Sequence, residues 1–152
     1  MNQVREAIHC DAAQRMGFTG RGIGVAVLDT GIYLHEDFEH RMAAFVDIVH
    51  RRRDTYDDNG HGTHISGIIA GSGGASNGMY MGVAPECHII MLKVLDKKGN
   101  GYASDVLAGL KWIRDNKERY GIRIVNISVG SFSKKRNDRE FCSCAGGKCG
   151  MG

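Results

Sequence analysis

The chain has 152 residues, 42% of them hydrophobic, and a formal net charge of +3. That length builds one ordinary domain with a sizeable core, and so small a charge gives no argument for a nucleic-acid or membrane partner. One proline against 22 glycines points to a compact α/β chain with many tight turns, not a proline-rich linker protein. Residues 1–15 contain no apolar run long enough for a signal peptide, so a cytoplasmic protein is expected. No stretch approaches the roughly 20 apolar residues of a membrane span. The five cysteines are an odd number, with Cys142, Cys144 and Cys149 crowded near the end. This argues against a closed disulfide framework, and the three lack a fourth ligand at usual metal spacing.

In chain order, Asp11 to Met16 reads as a short helix closed by Gly17. Ile23 to Leu28 is a short apolar, β-branched run, the pattern of a buried parallel strand. Ala43 to Val49 is a second strand, and the charged stretch from His50 to Asn59 is a surface loop. His61 to Ala70 is helical, with small residues that allow close packing. Gly71 to Gly78 is a Gly/Ser/Asn loop, and Cys87 to Val94 is a third strand. Ser104 is expected to cap a helix running to about Tyr120, with Val106, Leu107, Leu110 and Ile113 on one face. Gly121 stops that helix, and Ile122 to Val129 is a fourth strand. Strands alternating with helices predict a parallel sheet, whose chemistry gathers at the carboxyl ends of the strands.

Two segments carry the chemistry: Val25-Ala26-Val27-Leu28-Asp29-Thr30-Gly31 and Asp58-Asn59-Gly60-His61-Gly62-Thr63-His64. A serine nucleophile needs a base to take its proton, and the base needs an acid to hold its tautomer. Asp29 and His61 are suited to those two roles, with Gly31 and Gly62 letting the backbone turn tightly beside them. Taken singly, Asp29 reads as a turn cap and His61 as a helix cap. Asp-Thr-Gly after a strand also occurs in aspartic proteases, but the α/β pattern is a poor fit to their all-β fold. His64 does not make a His-Glu-x-x-His zinc motif with His61 and reads as a packed, hydrogen-bonded histidine. The basic runs at 51–53 and 134–136 are interrupted by acids and read as solvated loops.

These two segments, with His-Glu-Asp-Phe at 35–38, Gly-Val-Ala-Pro at 82–85, Lys-Val-Leu at 93–95 and Asn-Ile-Ser-Val-Gly at 126–130, resemble the subtilisin-like serine proteases, the subtilases, in order and spacing. The resemblance covers about residues 10–133 and is nearest the bacterial intracellular-type branch. It implies an α/β fold: a partial three-layer parallel sheet with flanking helices, ending after about the fourth strand. It implies peptide or protein substrates, with no nucleic-acid and no membrane partner. Asp29 would be the orienting acid and His61 the general base. Ser128, Val129 and Gly130 would pair with the substrate backbone, faced by Gly99, Asn100 and Gly101 on a second strand. In many family members the Asp matching Asp37 helps bind calcium with a later loop; here that loop, 73–79, offers only Ser76 and Asn77 as side-chain oxygen donors, a sparse set for calcium near Asp37. No cofactor is expected.

The family nucleophile lies in Gly-Thr-Ser-x-Ala, and the oxyanion asparagine follows Ala-Gly-Asn. The 152 residues contain neither segment, and Asn126 belongs to another motif. Two function classes follow. One is a truncated serine endopeptidase, inactive alone, that supplies Asp29 and His61. The other is a catalytically dead peptide-binding or regulatory module. The chain divides into 1–140, the N-terminal part of the catalytic domain, and 141–152. This second stretch is read as a non-family tail, disordered or an out-of-frame readout of the family's next helix.

Overall fold

The structure is a computed structural model that describes residues 2–131 and 141–144. Two short helices open it, α1 (Asn2–Ala7) and α2 (Cys10–Arg15). They are followed by β1 (Gly24–Asp29), β2 (Met42–Asp47), α3 (His61–Ala70) and β3 (His88–Lys93). Then come β4 (Asn100–Tyr102), α4 (Ala103–Asn116), β5 (Ile122–Ile127), β6 (Val129–Ser131) and β7 (Phe141–Cys144). Four strands form a parallel sheet in the order β2-β3-β1-β5.

All six residues of β1 are buried, because the strand is central and covered on both faces. Alternate side chains go to opposite faces of a strand. Ala26 and Leu28 join Ile90, Leu92 and Ile113 in one core, with Val106, Leu110 and Trp112 of α4 packed against it. Val25 and Val27 join Ile89, Met91 and Ala70 in a second core, with Ile65 and Ile69 of α3 against it. The result is three layers, with α3 on one face and α4 on the other. Each fully buried Val, Leu, Ile or Met contributes roughly 1.5–3 kcal/mol of transfer free energy. That is why a six-residue strand with no amphipathic pattern holds its place.

The parallel sheet follows the sequence reading, but the helices differ from it: α1 has no counterpart there, and α4 ends at Asn116, before Tyr120 and Gly121. Helix α4 starts one residue before Ser104. Tyr102, extended at φ −106°, is its N-cap, and no side chain caps the end. The last residue of β4 thus passes straight into the helix. Leu107 is 65% exposed, because the inward stripe of α4 runs through Val106, Gly109, Leu110 and Ile113 and position 107 lies beside it. The strand expected to run to Val129 is broken at Ser128. Its hydroxyl meets the Asn126 side-chain amide at 2.8 Å, and β6 leaves the parallel sheet for another.

That second sheet is antiparallel, in the order β4-β7-β6. β7, in the segment read as a tail, pairs with β4 on one side and with β6 on the other.

β5 is an edge strand with β1 as its neighbour in the sheet. It exposes Ile124 at 53%, Val125 at 40% and Ile127 at 41%. An uncovered apolar edge offers unpaired backbone groups to any other strand. The chain is therefore expected to self-associate as its concentration rises, measured by sedimentation velocity. Ile124→Lys is expected to shift the distribution toward monomer and to change unfolding free energy by no more than about 0.5 kcal/mol.

Candidate active site

The carboxyl end of β1 is where the candidate residues meet. Asp29, the last residue of the strand, has no exposed surface. A carboxylate taken out of water must be hydrogen-bonded or its burial is strongly unfavourable. Its Oδ1 accepts from the Thr30 amide at 2.7 Å. His61 Nδ1 lies 2.8 Å from Oδ1 and 2.9 Å from Oδ2. An ionised carboxylate only accepts, so the proton between them belongs to Nδ1. Nε2 is then the nitrogen with a lone pair, the one able to take a proton from a hydroxyl. The His61 side chain is 21% exposed, so the ring has a sheltered edge on the acid and an open one.

Close backbone packing makes this contact possible. His61 is the first residue of α3, and the helix end comes against the turn after β1. A β-carbon on Gly62 would overlap the Gly31 carbonyl oxygen, and one on Gly31 would overlap the Tyr56 carbonyl oxygen. Gly31 also has φ +125°, a conformation that disfavours any side chain. Two glycines facing each other thus set the distance between acid and imidazole.

A hub below the pair holds the loop that carries His61. Asp57 Oδ1 accepts from Thr30 Oγ1 at 2.9 Å, from the Gly60 amide at 2.9 Å and from the Asn59 amide at 3.1 Å. Oδ2 accepts from the Thr63 amide at 2.9 Å and its hydroxyl at 2.6 Å. Thr30 Oγ1 in turn accepts from the Gly62 amide at 3.0 Å. Asp57 therefore caps the start of α3 and fastens it to the residue after Asp29. Burial opposes the charge on Asp57, but the donors from Thr63, Gly60 and Thr30 outweigh it and hold the carboxyl below its ordinary range.

Lys93 makes a second tie. Its side chain has no exposed surface, and Nζ donates to Asp58 Oδ1 at 2.8 Å, to the Leu95 carbonyl at 2.9 Å and to the Thr30 carbonyl. Nearby, the Tyr56 hydroxyl donates to Asp47 Oδ2 at 2.6 Å. Burial and that bond push the Tyr56 phenol up. Burial also opposes ionisation of Asp47, but bonds from the His50 amide, Tyr56 and the Arg52 amide bring its carboxyl below the usual range.

The other candidate residues lie on, or immediately before, two short strands that follow the carboxyl ends of β3 and β5. β5 pairs with β1 as far as Ile127 beside Leu28, so Ser128, Val129 and Gly130 emerge next to Asp29. The Val94 and Leu95 amides donate to the Asp29 carbonyl at 2.9 and 3.2 Å. From there a turn held by Asp96 leads to Gly99, Asn100 and Gly101. Asn59 Nδ2, in the His61 loop, donates to the Lys97 carbonyl in that turn at 3.1 Å. The structure thus brings Asp29 and His61 into contact. It sets 100–101 and 129–130 on opposite sides of one intervening strand. His64 is exposed, not packed as expected, because its place on α3 turns it away from both cores. Asp37 Oδ1 accepts from the Ala75 amide at 2.9 Å and the Ser72 hydroxyl at 3.3 Å. Among the described residues no group of three or more His, Cys, Asp or Glu converges as a metal site, and no helix is long and apolar enough to cross a membrane.

Sequence reasoning missed the parts played by Asp57, Thr30 and Lys93. The signals were present: an acid four residues before a histidine at a helix start, and a lysine directly after the apolar run 89–92. Such a lysine is buried only when paired.

A profile described as the Subtilase family matches residues 20–148. The chain is 43% identical over 136 residues to "Serine protease AprX" of Bacillus subtilis (strain 168), which covers 86% of this chain and 30% of that protein. It is 40% identical over 124 residues to "Subtilisin Savinase" of Lederbergia lenta, covering 82% of this chain and 43% of that protein. A solved structure described as a cold adapted subtilisin-like serine proteinase superposes with a TM-score of 0.57 at 38% identity, over 65% of this chain and 34% of that one. The chain spans less than half the length of these relatives.

The carboxyl groups of Asp57 and Asp47 are depressed in the folded state. Their contribution to stability is complete above the unfolded carboxylate pKa, about 3.9. It is lost as pH falls through the lower folded values. Urea unfolding midpoints are thus expected to drop below about pH 4. Asp57→Asn turns an amide group toward the Thr63 donors. It is expected to cost about 1–3 kcal/mol at pH 7 and to flatten the acid limb.

Proposed function

The chain belongs to the subtilase family, and on that premise we propose that it supplies the acid–base half of a serine-type peptide-bond hydrolase. The observation that carries this is Asp29, with no exposed surface, accepting from Nδ1 of a partly open His61. In the proposed roles, Asp29 fixes the tautomer and orientation of the imidazole and stabilises it once protonated. Nε2 takes the proton of a serine hydroxyl as that oxygen attacks a peptide carbonyl, then returns it to the leaving amine. The serine and the side-chain oxyanion donor must come from outside these 152 residues, which contain no Gly-Thr-Ser-x-Ala and no Ala-Gly-Asn. Placement in the intracellular-type branch belongs to the same proposal.

The substrate in this reading is an extended peptide held by backbone bonds between β4 and β6. Residues 99–101 form one wall and 128–130 the other. Strand addition at a sheet edge relies on main-chain groups, with side-chain pockets adding selectivity. The β4–β6 arrangement also supports the second reading, a peptide-binding module without catalysis. It needs neither nucleophile nor oxyanion donor.

The 152-residue chain is expected to hydrolyse no casein and to take up no fluorophosphonate. Stoichiometric labelling of any serine would contradict the assignment. The positive test is a chimera joining residues 1–131 to the C-terminal remainder of Subtilisin Savinase. It is expected to hydrolyse casein, and His61→Ala is expected to abolish the activity. Asp29→Asn is expected to lower kcat by about 10⁴, the size of the same change in another Ser-His-Asp enzyme. A chimera that unfolds cooperatively, yet shows no His61-dependent turnover, would leave the binding-module reading in place.

A further inference from the structure

The cleft between β4 and β6 is filled by the chain itself. β7 lies between them as the middle strand, antiparallel to both. On one side Asn100 pairs with Ser143, Gly101 with Cys142 and Tyr102 with Phe141. On the other, Val129 pairs with Cys144, Gly130 with Ser143 and Ser131 with Cys142. A middle strand meets a neighbour on each side, so no second strand fits between β4 and β6 while it is there. Under the reading of β4 and β6 as peptide-binding edges, on which this inference rests, residues 141–144 stand where an extended substrate would lie.

We infer that Phe141–Cys144 is a tethered pseudo-substrate that occupies the peptide cleft and competes with any peptide entering from solution. Two features favour the internal strand. Recognition through the backbone is tolerant of sequence, so the segment needs no particular side chains to fit. The segment is also joined to β6 through residues 132–140 alone. A short tether presents its end at an effective concentration in the millimolar range. A free peptide must exceed that concentration, weighted by relative affinity, to displace it. The observed affinity for an external peptide is the intrinsic one multiplied by the fraction of molecules with the cleft open.

The test uses the full 152-residue chain and a fluorescein-labelled peptide Glu-Phe-Ala-Ser-Ala-Ala, the segment 140–145 with both cysteines replaced, followed by fluorescence polarisation. Ser143→Pro removes a backbone donor at the position paired on both sides and disfavours the extended ladder. It is expected to bind the peptide about tenfold or more tightly than the unaltered chain. The second variant, Val129→Cys, exploits the pairing of position 129 with the native Cys144. Opposed antiparallel residues have Cα atoms about 4.5–5.5 Å apart, within disulfide reach. Oxidation is expected to give a 129–144 disulfide, identified by peptide mapping, and to abolish peptide binding. Reduction of the same sample is expected to restore peptide binding, whatever affinity the Val129→Cys side chain itself sets. The two redox states are one polypeptide, so this comparison decides the matter even where Ser143→Pro does not fold. Equal affinity in the unaltered chain and Ser143→Pro, or binding that survives the 129–144 disulfide, would overturn self-occupation while leaving the cleft reading intact. Absence of peptide binding in every form up to millimolar peptide would remove the cleft reading and the inference together.

Discussion

A carboxylate with no exposed surface sits at the end of the central strand, and the groups beside it supply its hydrogen bonds. Asp29 receives the Thr30 amide and the His61 ring. Losing either partner leaves a buried charge short of a hydrogen bond, which costs far more than the bond contributes while intact. The helix that brings His61 is therefore closely constrained in position. Gly31 and Gly62 meet backbone to backbone at that junction. The same closeness that suits the acid–base pair makes the site intolerant of a single methyl group.

Around the pair, polar groups are used in tension with their own burial. Asp57 gathers five donors from Thr30, Asn59, Gly60 and Thr63, and Lys93 gathers three acceptors. Each would be unfavourable alone. Satisfied, they fasten the His61 loop to the end of β1 through Thr30 and Asp58. Fully satisfied buried networks rigidify a site, whereas partly satisfied ones destabilise it. Orientation of the imidazole thus depends on residues that have no reason to touch a substrate.

The two ends of the polypeptide's architecture differ in how completely they are paired. The parallel sheet has one apolar edge at β5, with Ile124, Val125 and Ile127 uncovered. The antiparallel sheet is filled from within by β7. Backbone groups at a strand edge bind whatever strand is at hand. A tethered strand has a concentration advantage over a free one, so an open edge beside a covered cleft is a consistent outcome in one chain.

Much of this was legible from the residues. A short apolar run such as Ile23 to Leu28 forms a strand because both of its faces must be buried, whereas Gly121, at φ +53°, turns the chain into β5 only after α4 has already ended at Asn116. The Asp29 and His61 segments stand out through residue type and a tight glycine turn. These are local properties, determined by what lies within a few residues. The exposed face of Leu107, the break at Ser128 and the solvent position of His64 depend on which neighbours pack against them. Only the tertiary structure decided that Asp57 and Lys93 tie the site together, and that 141–144 slots between 100–102 and 129–131. Those contacts join residues 27 to 63 positions apart within the site and bring three separate segments together at the cleft. Pairing between distant backbone groups carries no periodic signature in the sequence, so it becomes visible only once the parallel sheet has brought the strand ends to one edge.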